Sequence, residues 1–221
     1  MKIVYVDFDG TLVRSNSFQY LYFNLWHTWT TSRTIRTLAT FMACALAYPL
    51  LVMAHYTDSR LRDRLTYFFY WGLSQKDLEE AAEVYFQKRQ VLIPQTKAFL
   101  QEKKQAGYSI VIISGSIREV VVQASQQLDL ADVVDHVITA RLVYKGQVAN
   151  GRMMHPPMVE EEKVRAIHAF EKGLNVQDRI CVSDSWSDRP MLDLGRHSVV
   201  INPDSKLKIH AVNKNWDIWF V

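Results

Sequence analysis

The chain has 221 residues, 48% of them hydrophobic and 22% charged, with a formal net charge of +3. That is enough apolar material to bury a full core, and the charge bias is too small to hold the chain unfolded. No Lys/Arg-rich run or zinc-finger spacing accompanies the mild positive charge, so nucleic acid is excluded as an expected partner.

The predicted elements begin with a strand over 2–7. Ile3-Val4-Tyr5-Val6 runs into Asp7-Phe8-Asp9-Gly10-Thr11, which sets two carboxylates two positions apart where a buried type of strand ends. Just past a strand end the chain can turn, so one carboxylate and a nearby backbone carbonyl can converge on one cation, and such oxygens suit a hard divalent metal. Gly10 permits the turn at the carboxyl end of the strand, where open α/β sheets bind their ligands. The plainer alternative is a strand exit with solvated acids. The N-terminus lacks a basic leader followed by a short apolar core, so no secretory signal is expected.

Residues 38–54, LATFMACALAYPLLVMA, carry no charge. A spanning helix wants about 20 apolar residues, and Pro49 interrupts this run. It is therefore read first as a pair of packed helices, second as a surface for peripheral membrane contact and last as a true span. Aromatic neighbours such as Tyr22, Phe23, Trp26 and Trp29 fit an apolar pocket or an interfacial belt equally well. Cys44 in this run and Cys181 lie in apolar surroundings far apart, which predicts two reduced core thiols, no disulfide and a cytoplasmic protein, membrane-associated if the apolar run is a surface. Arg60-Leu61-Arg62-Asp63-Arg64 follows as a charge-laced helix face.

Pro94 opens a helix over 94–106 that marks the return from this insert. A strand over 108–113 stops at Ser114-Gly115-Ser116, and a helix is expected over 116–128. A hydroxyl at a helix N-terminus suits a phosphate oxygen, or serves as a simple N-cap. A strand over 133–138 precedes a small hairpin between 141 and 153, projecting from the sheet around Lys145-Gly146. Glu160-Glu161-Glu162-Lys163 opens a helix over 159–172, from which Lys163 can reach an anion unless it is a surface lysine. A strand over 178–183 exits into Ser183-Asp184-Ser185-Trp186-Ser187-Asp188, again with two acids. Helices over 187–194 and 204–213 and strands over 197–201 and 216–220 complete the chain. The alternation predicts an α/β fold with a parallel, doubly wound sheet.

In this order and spacing the fragments resemble the haloacid dehalogenase (HAD) superfamily of phosphohydrolases. Its first motif is matched by Asp7-Phe8-Asp9-Gly10-Thr11-Leu12, its second by Ser114, its third by Lys163 and its fourth by Asp184-Ser185-Trp186-Ser187-Asp188. The insert resembles the helical (C1-type) cap of the phosphoserine-phosphatase-like branch, subfamily IB. The resemblance implies a Rossmann-like catalytic core over 1–14 and 93–221 with a cap domain over 15–92.

The same resemblance implies Asp7 as nucleophile and Asp9 as acid–base. Phosphate would be balanced by Lys163, the Ser114 hydroxyl and backbone N–H groups near Gly10, Thr11 and Gly115. Mg²⁺ would be held by the Asp7 carboxylate, the Asp9 backbone carbonyl and the Asp184 carboxylate. Asp188 would orient that shell or Lys163, and Thr11 would steer Asp9. Asn16 stands where phosphoserine phosphatases carry a glutamate that recognises the amino group, so phosphoserine is not the expected substrate. Arg64 is the nearest counterpart of a basic cap residue that contacts the substrate carboxylate. Ser183 replaces the glycine that often precedes the fourth-motif acid, and this form is similar to phosphatidylglycerophosphatase C. The implied activity is a Mg²⁺-dependent phosphomonoesterase acting through aspartyl phosphate on a small organic or lipid-like phosphate. A phosphotransferase with the same motifs and a non-catalytic phosphate- or lipid-binding relative are the alternatives.

Overall fold

The computed structural model describes residues 1–32, 35–57, 59–89 and 91–221. In chain order the elements are β1 (Lys2–Val6), α1 (Ser17–Ser32), α2 (Ile35–Thr57), α3 (Ser59–Phe68), α4 (Gln75–Lys88), α5 (Pro94–Gln105), β2 (Tyr108–Ile117), α6 (Arg118–Gln127) and β3 (His136–Ala140). They continue with β4 (Leu142–Lys145), β5 (Val148–Met153), α7 (Glu161–Glu171), β6 (Asp178–Ser183), α8 (Arg189–Leu192), β7 (His197–Ile201), α9 (Ser205–Asn213) and β8 (Asp217–Trp219).

Among the described residues, six strands form one sheet in the order β3-β2-β1-β6-β7-β8, every pair parallel. Parallel strands covered on both faces need apolar side chains on both, which is why their sequences read as nearly unbroken apolar runs. Val4, Val6, Ile110, Ile112 and Val182 face one layer, while Ile3, Tyr5, Val111, Ile113 and Cys181 face the other with Ile167, Met191, Leu192 and Leu207 of α7, α8 and α9. From β1 the chain builds outward to β2 and β3 on one side, and later to β6, β7 and β8 on the other. The strand order therefore reverses between β1 and β6, and a crevice opens beyond their carboxyl ends. Asp7 and Asp9 follow β1 there, and Asp184 follows β6.

Helices α1 to α4 form an insert between β1 and α5. The chain leaves and re-enters the core along adjacent paths, with Arg14 N–H donating to the Val91 carbonyl (2.6 Å) and Ile93 N–H to that of Leu12 (2.9 Å). The Thr96 hydroxyl donates to the Thr11 carbonyl (2.8 Å). Helix α1 packs on α2 and α4, and α4 packs on α6. Helix α4 starts at a capping box in which Ser74 Oγ accepts from Asp77 N–H and Asp77 accepts from Ser74 N–H.

Several expectations change in detail. The run 38–54 is part of one helix that continues through Pro49, not a helix pair. A proline removes one backbone hydrogen bond, and the fully buried Cys44 and Leu51 on either side hold the helix in place. Strand β2 extends past residue 113 to Ile117, so Ser114 lies in the strand and is not at a helix start; α6 is entered from Ile117 without a side-chain cap. Strand β3 begins at His136 because residues 130–134 form a turn around the buried Leu130 and Val133. The β4–β5 hairpin does not simply project: Gly72 N–H donates to the Ala149 carbonyl, Ala149 N–H to that of Leu73, and Gln75 N–H to that of Gln147, tying the hairpin to the insert. Cys44 and Cys181 are both free and buried.

Candidate active site

Strand β1 delivers Asp7 into the crevice, and a tight turn over residues 8–13 places Asp9 and Gly10 above it. Leu12 N–H donates to the Phe8 carbonyl (2.9 Å) and Gly10 N–H to that of Val13 (2.8 Å). Gly10 takes φ +75°, and a Cβ there would lie 2.1 Å from Oδ2 of Asp184. The glycine thus lets the first loop close onto the carboxylate that β6 presents.

Lys163, in the first turn of α7, is buried and bridges two acids. Its Nζ donates to Asp7 Oδ1 (2.6 Å) and to Asp188 Oδ2 (2.7 Å). Ser183 Oγ donates to the same Asp188 oxygen (2.6 Å). Thr11 Oγ1 donates to Asp184 Oδ1 (3.1 Å), and Ser116 Oγ to Asp9 Oδ2 (2.5 Å). Ser114 Oγ accepts from Ser116 N–H (3.0 Å). The Gly115 carbonyl accepts from the Tyr67 hydroxyl of α3 (2.6 Å), a direct tie between insert and core.

Negative charge dominates the floor of this site. Burial pushes the Asp7 carboxyl up to about 6, the Lys163 ammonium pulling down and Asp188 pushing up. Burial likewise raises Asp184 to about 8, with the charges of Asp7 and Asp188 adding and the Thr11 hydrogen bond opposing. Burial works against the Lys163 ammonium, but Asp188 and Asp7 outweigh it and hold its value above the ordinary lysine range. Lys163 pairs with Asp7 and Asp188 while Asp184 adds a third carboxyl beside them, an excess that a divalent cation would neutralise. Among the described residues no cluster of three or more His, Cys, Asp or Glu side chains forms a ready metal cage. A donor set of two carboxylates, Asp7 and Asp184, with a carbonyl oxygen of the intervening loop fits a hard ion that keeps several waters.

Asp7, Asp9, Gly10, Asn16, Ser114, Gly115, Lys163, Asp184 and Asp188 line one cavity of about 1180 Å³ between sheet and insert. Three residues depart from expectation. The Thr11 hydroxyl steers Asp184, not Asp9, because the turn at Gly10 carries residue 11 under the late acid. Arg64 is exposed on α3 and does not line the cavity; Arg14 and Arg89, at the two crossings of the insert, do. The Arg60 and Arg62 side chains lie outside the described residues. Gly10 N–H is taken by Val13, so that glycine acts through its missing side chain. Asn16 caps α1, its Oδ1 accepting from Gln19 N–H (3.1 Å), while also lining the cavity.

Ser116, Ser183, Arg14 and Arg89 were not singled out as site residues from the sequence. Strand alternation carries a signal for Ser116, which lies two positions from Ser114 in the same strand. The upper wall is apolar and aromatic, from Tyr22, Phe23 and Trp26 of α1 and Phe41, Tyr48 and Val52 of α2.

The sequence model of haloacid dehalogenase-like hydrolases matches residues 4–193. Phosphoserine phosphatase SerB1 of Mycobacterium tuberculosis is 31% identical over 130 residues, which is 56% of this chain and 39% of that protein. The chain thus spans well under half the length of that relative. A solved structure of a Bordetella pertussis Tohama I protein of unknown function superposes with a TM-score of 0.80 at 18% identity, covering 98% of this chain and 97% of that one. A substrate-bound phosphoserine phosphatase structure gives a TM-score of 0.68 at 16% identity, covering 100% and 92%. The solved structures share the fold, and the match over residues 4–193 takes in every motif from Asp7 to Asp188: the chain belongs to the haloacid dehalogenase-like hydrolase family.

Proposed function

We propose that the protein is a Mg²⁺-dependent phosphomonoesterase that works through an aspartyl phosphate on Asp7. The observation that carries the reading is the buried Asp7–Lys163–Asp188 chain at the carboxyl end of the central strand, with Asp9 and Asp184 opening onto the same cavity. The insert over residues 15–92 acts as the cap of a core made by 1–14 and 93–221.

Lys163 fixes the Asp7 carboxylate through Oδ1 and places positive charge beside it, offsetting the repulsion between this nucleophile and a phosphate dianion. Asp7 forms a bond to phosphorus as the ester P–O bond breaks, and Asp9 in its acid form gives its proton to the departing alkoxide. Asp9 then takes a proton from water, whose oxygen attacks the aspartyl phosphorus, releasing phosphate and restoring Asp7. Ser116 holds the Asp9 carboxyl in place through both steps. Asp188, held by Ser183, orients Lys163. Magnesium held by Asp7, the Asp9 carbonyl and Asp184 would neutralise phosphoryl charge.

A relative named phosphoserine phosphatase supports the reaction class. The aromatic wall and Asn16 favour a phosphate with an organic or lipid-like body over phosphoserine. Asp7→Asn is expected to abolish hydrolysis of p-nitrophenyl phosphate, by about 10³-fold or more, with thermal unfolding still cooperative. Chelation should do the same and be reversed by added Mg²⁺. Undiminished turnover by Asp7→Asn would refute the assignment.

A further inference from the structure

Helix α2 is apolar on opposite faces. Thr37, Cys44 and Leu51 are buried in the bundle, whereas Ile35, Leu38, Met42, Leu46 and Leu50 are exposed, by 87% at Ile35 and 79% at Leu46. Steps of three and four residues align these five side chains along one side of the helix. At 1.5 Å per residue the stripe is about 22 Å long. A helix apolar all round is ordinarily covered all round, and a continuous exposed stripe differs from the scattered single hydrophobics of any surface. Among the described residues no helix is long and apolar enough to cross a membrane, so what covers the stripe lies alongside it.

Charge selects the covering surface. Residues 10–57 contain no Asp or Glu. The sequence brackets α2 with Arg33 and Arg36 at one end and with Arg60, Arg62 and Arg64 beyond the other, against only Asp58 and Asp63. A second copy laid on the stripe, in either direction, would set basic end against basic end. A bilayer containing anionic phospholipid offers an apolar boundary and a negative surface together. Phe41 and Val52 of the same helix also line the cavity above Asp7, so this covering surface would adjoin the cavity wall.

We propose that α2 is an interfacial docking helix that lies in the plane of an anionic phospholipid bilayer, with Ile35, Leu38, Met42, Leu46 and Leu50 inserted at the acyl boundary. This docking does not depend on the proposed phosphatase chemistry.

The test is flotation of the full chain with vesicles of phosphatidylcholine alone or mixed with phosphatidylglycerol, at low and high salt. Binding to the mixed vesicles is expected to be about tenfold or more stronger than to the neutral ones, and weakened by salt. Leu46→Glu and, separately, Ile35→Gln should each weaken it by about tenfold, with the thermal midpoint and p-nitrophenyl phosphate turnover unchanged because neither residue touches the cavity. An intact protein that floats with neither vesicle overturns the proposal, as does equal binding by wild type and both variants. Sedimentation showing a dimer that Leu46→Glu dissociates, without vesicle binding, would assign the stripe to a second copy instead.

Discussion

At Gly10 two demands meet in one residue. Its backbone sits at φ +75°, where a side chain is strained, and the space a Cβ would fill is already held by the Asp184 carboxylate. The backbone of residue 10 and the carboxylate of residue 184 are thus in contact across the crevice between β1 and β6. Gly10→Ala should cost about 1–3 kcal/mol of stability from the conformation alone. The larger effect should fall on activity, because the Asp184 carboxylate must swing away and Thr11 then loses its acceptor. Denaturant unfolding with p-nitrophenyl phosphate kinetics measures both, and a variant as stable and active as wild type would show that the contact is not needed. The turn was legible in the sequence, since glycine after two acids at a strand end signals it. The carboxylate that fills the space was not, because that contact is set by how β6 aligns beside β1.

Helix α7 shows how an element carries site precision over a distance. Lys163 occupies its first turn and Glu171 its last, where Glu171 accepts from Arg179 Nε (2.7 Å) and Nη2 (2.8 Å) of β6 and from the Tyr5 hydroxyl of β1 (3.0 Å). This fork is bidentate, with the Glu171 side chain buried and that of Arg179 35% exposed, and it pins the helix to the two strands that also bear the acids. Burial works against the Glu171 carboxylate, but the Arg179 and Tyr5 hydrogen bonds outweigh it and lower its value below the ordinary 4.5. A lowered folded-state value means that the stabilisation is complete above the ordinary glutamate value and is lost as pH falls through the depressed one. Glu171→Gln should therefore cost about 1.5–3 kcal/mol near neutral pH, and the gap to wild type should shrink once the medium is more acidic than pH 4.5. Urea unfolding at several pH values checks this; a gap that stays constant into acid would remove the charge from the explanation. Strands β1, β6 and β7 were legible because a strand buried on both faces is a plain apolar run. The end of β2 was not, because Ser114-Gly115-Ser116 has turn composition, yet parallel pairing with β3 carries the strand through a register shift to Ile117. The single helix α2 was hidden by Pro49, whose local rule yields to packing at Cys44 and Leu51.

Across the whole molecule, charge in the cavity is graded: the acids and Lys163 sit at the sheet end, and Arg14 and Arg89 flank the two paths that join the sheet to the insert. Arg89 is held over the rings of Tyr85 (4.7 Å) and Phe23 (5.9 Å), so its guanidinium is placed by α4 and α1 of the insert. A phosphate bound beside Asp7 would leave the rest of its molecule pointing between an aromatic wall and this cationic pair. Substrates with a second anionic group should gain from Arg89, which takes the place expected of Arg64. Arg89→Gln is predicted to raise KM about tenfold for a phosphomonoester bearing a second phosphate or a carboxylate, with kcat little changed. An uncharged aryl or alkyl phosphate should be hydrolysed as before. Arg89→Lys should recover only part of the loss, since an ammonium keeps the charge but not the planar stacking on the two rings. An equal rise in KM for charged and uncharged substrates would make Arg89 a support for the crossing into the insert, and the selectivity would then have to come from Arg14 or from the aromatic wall itself.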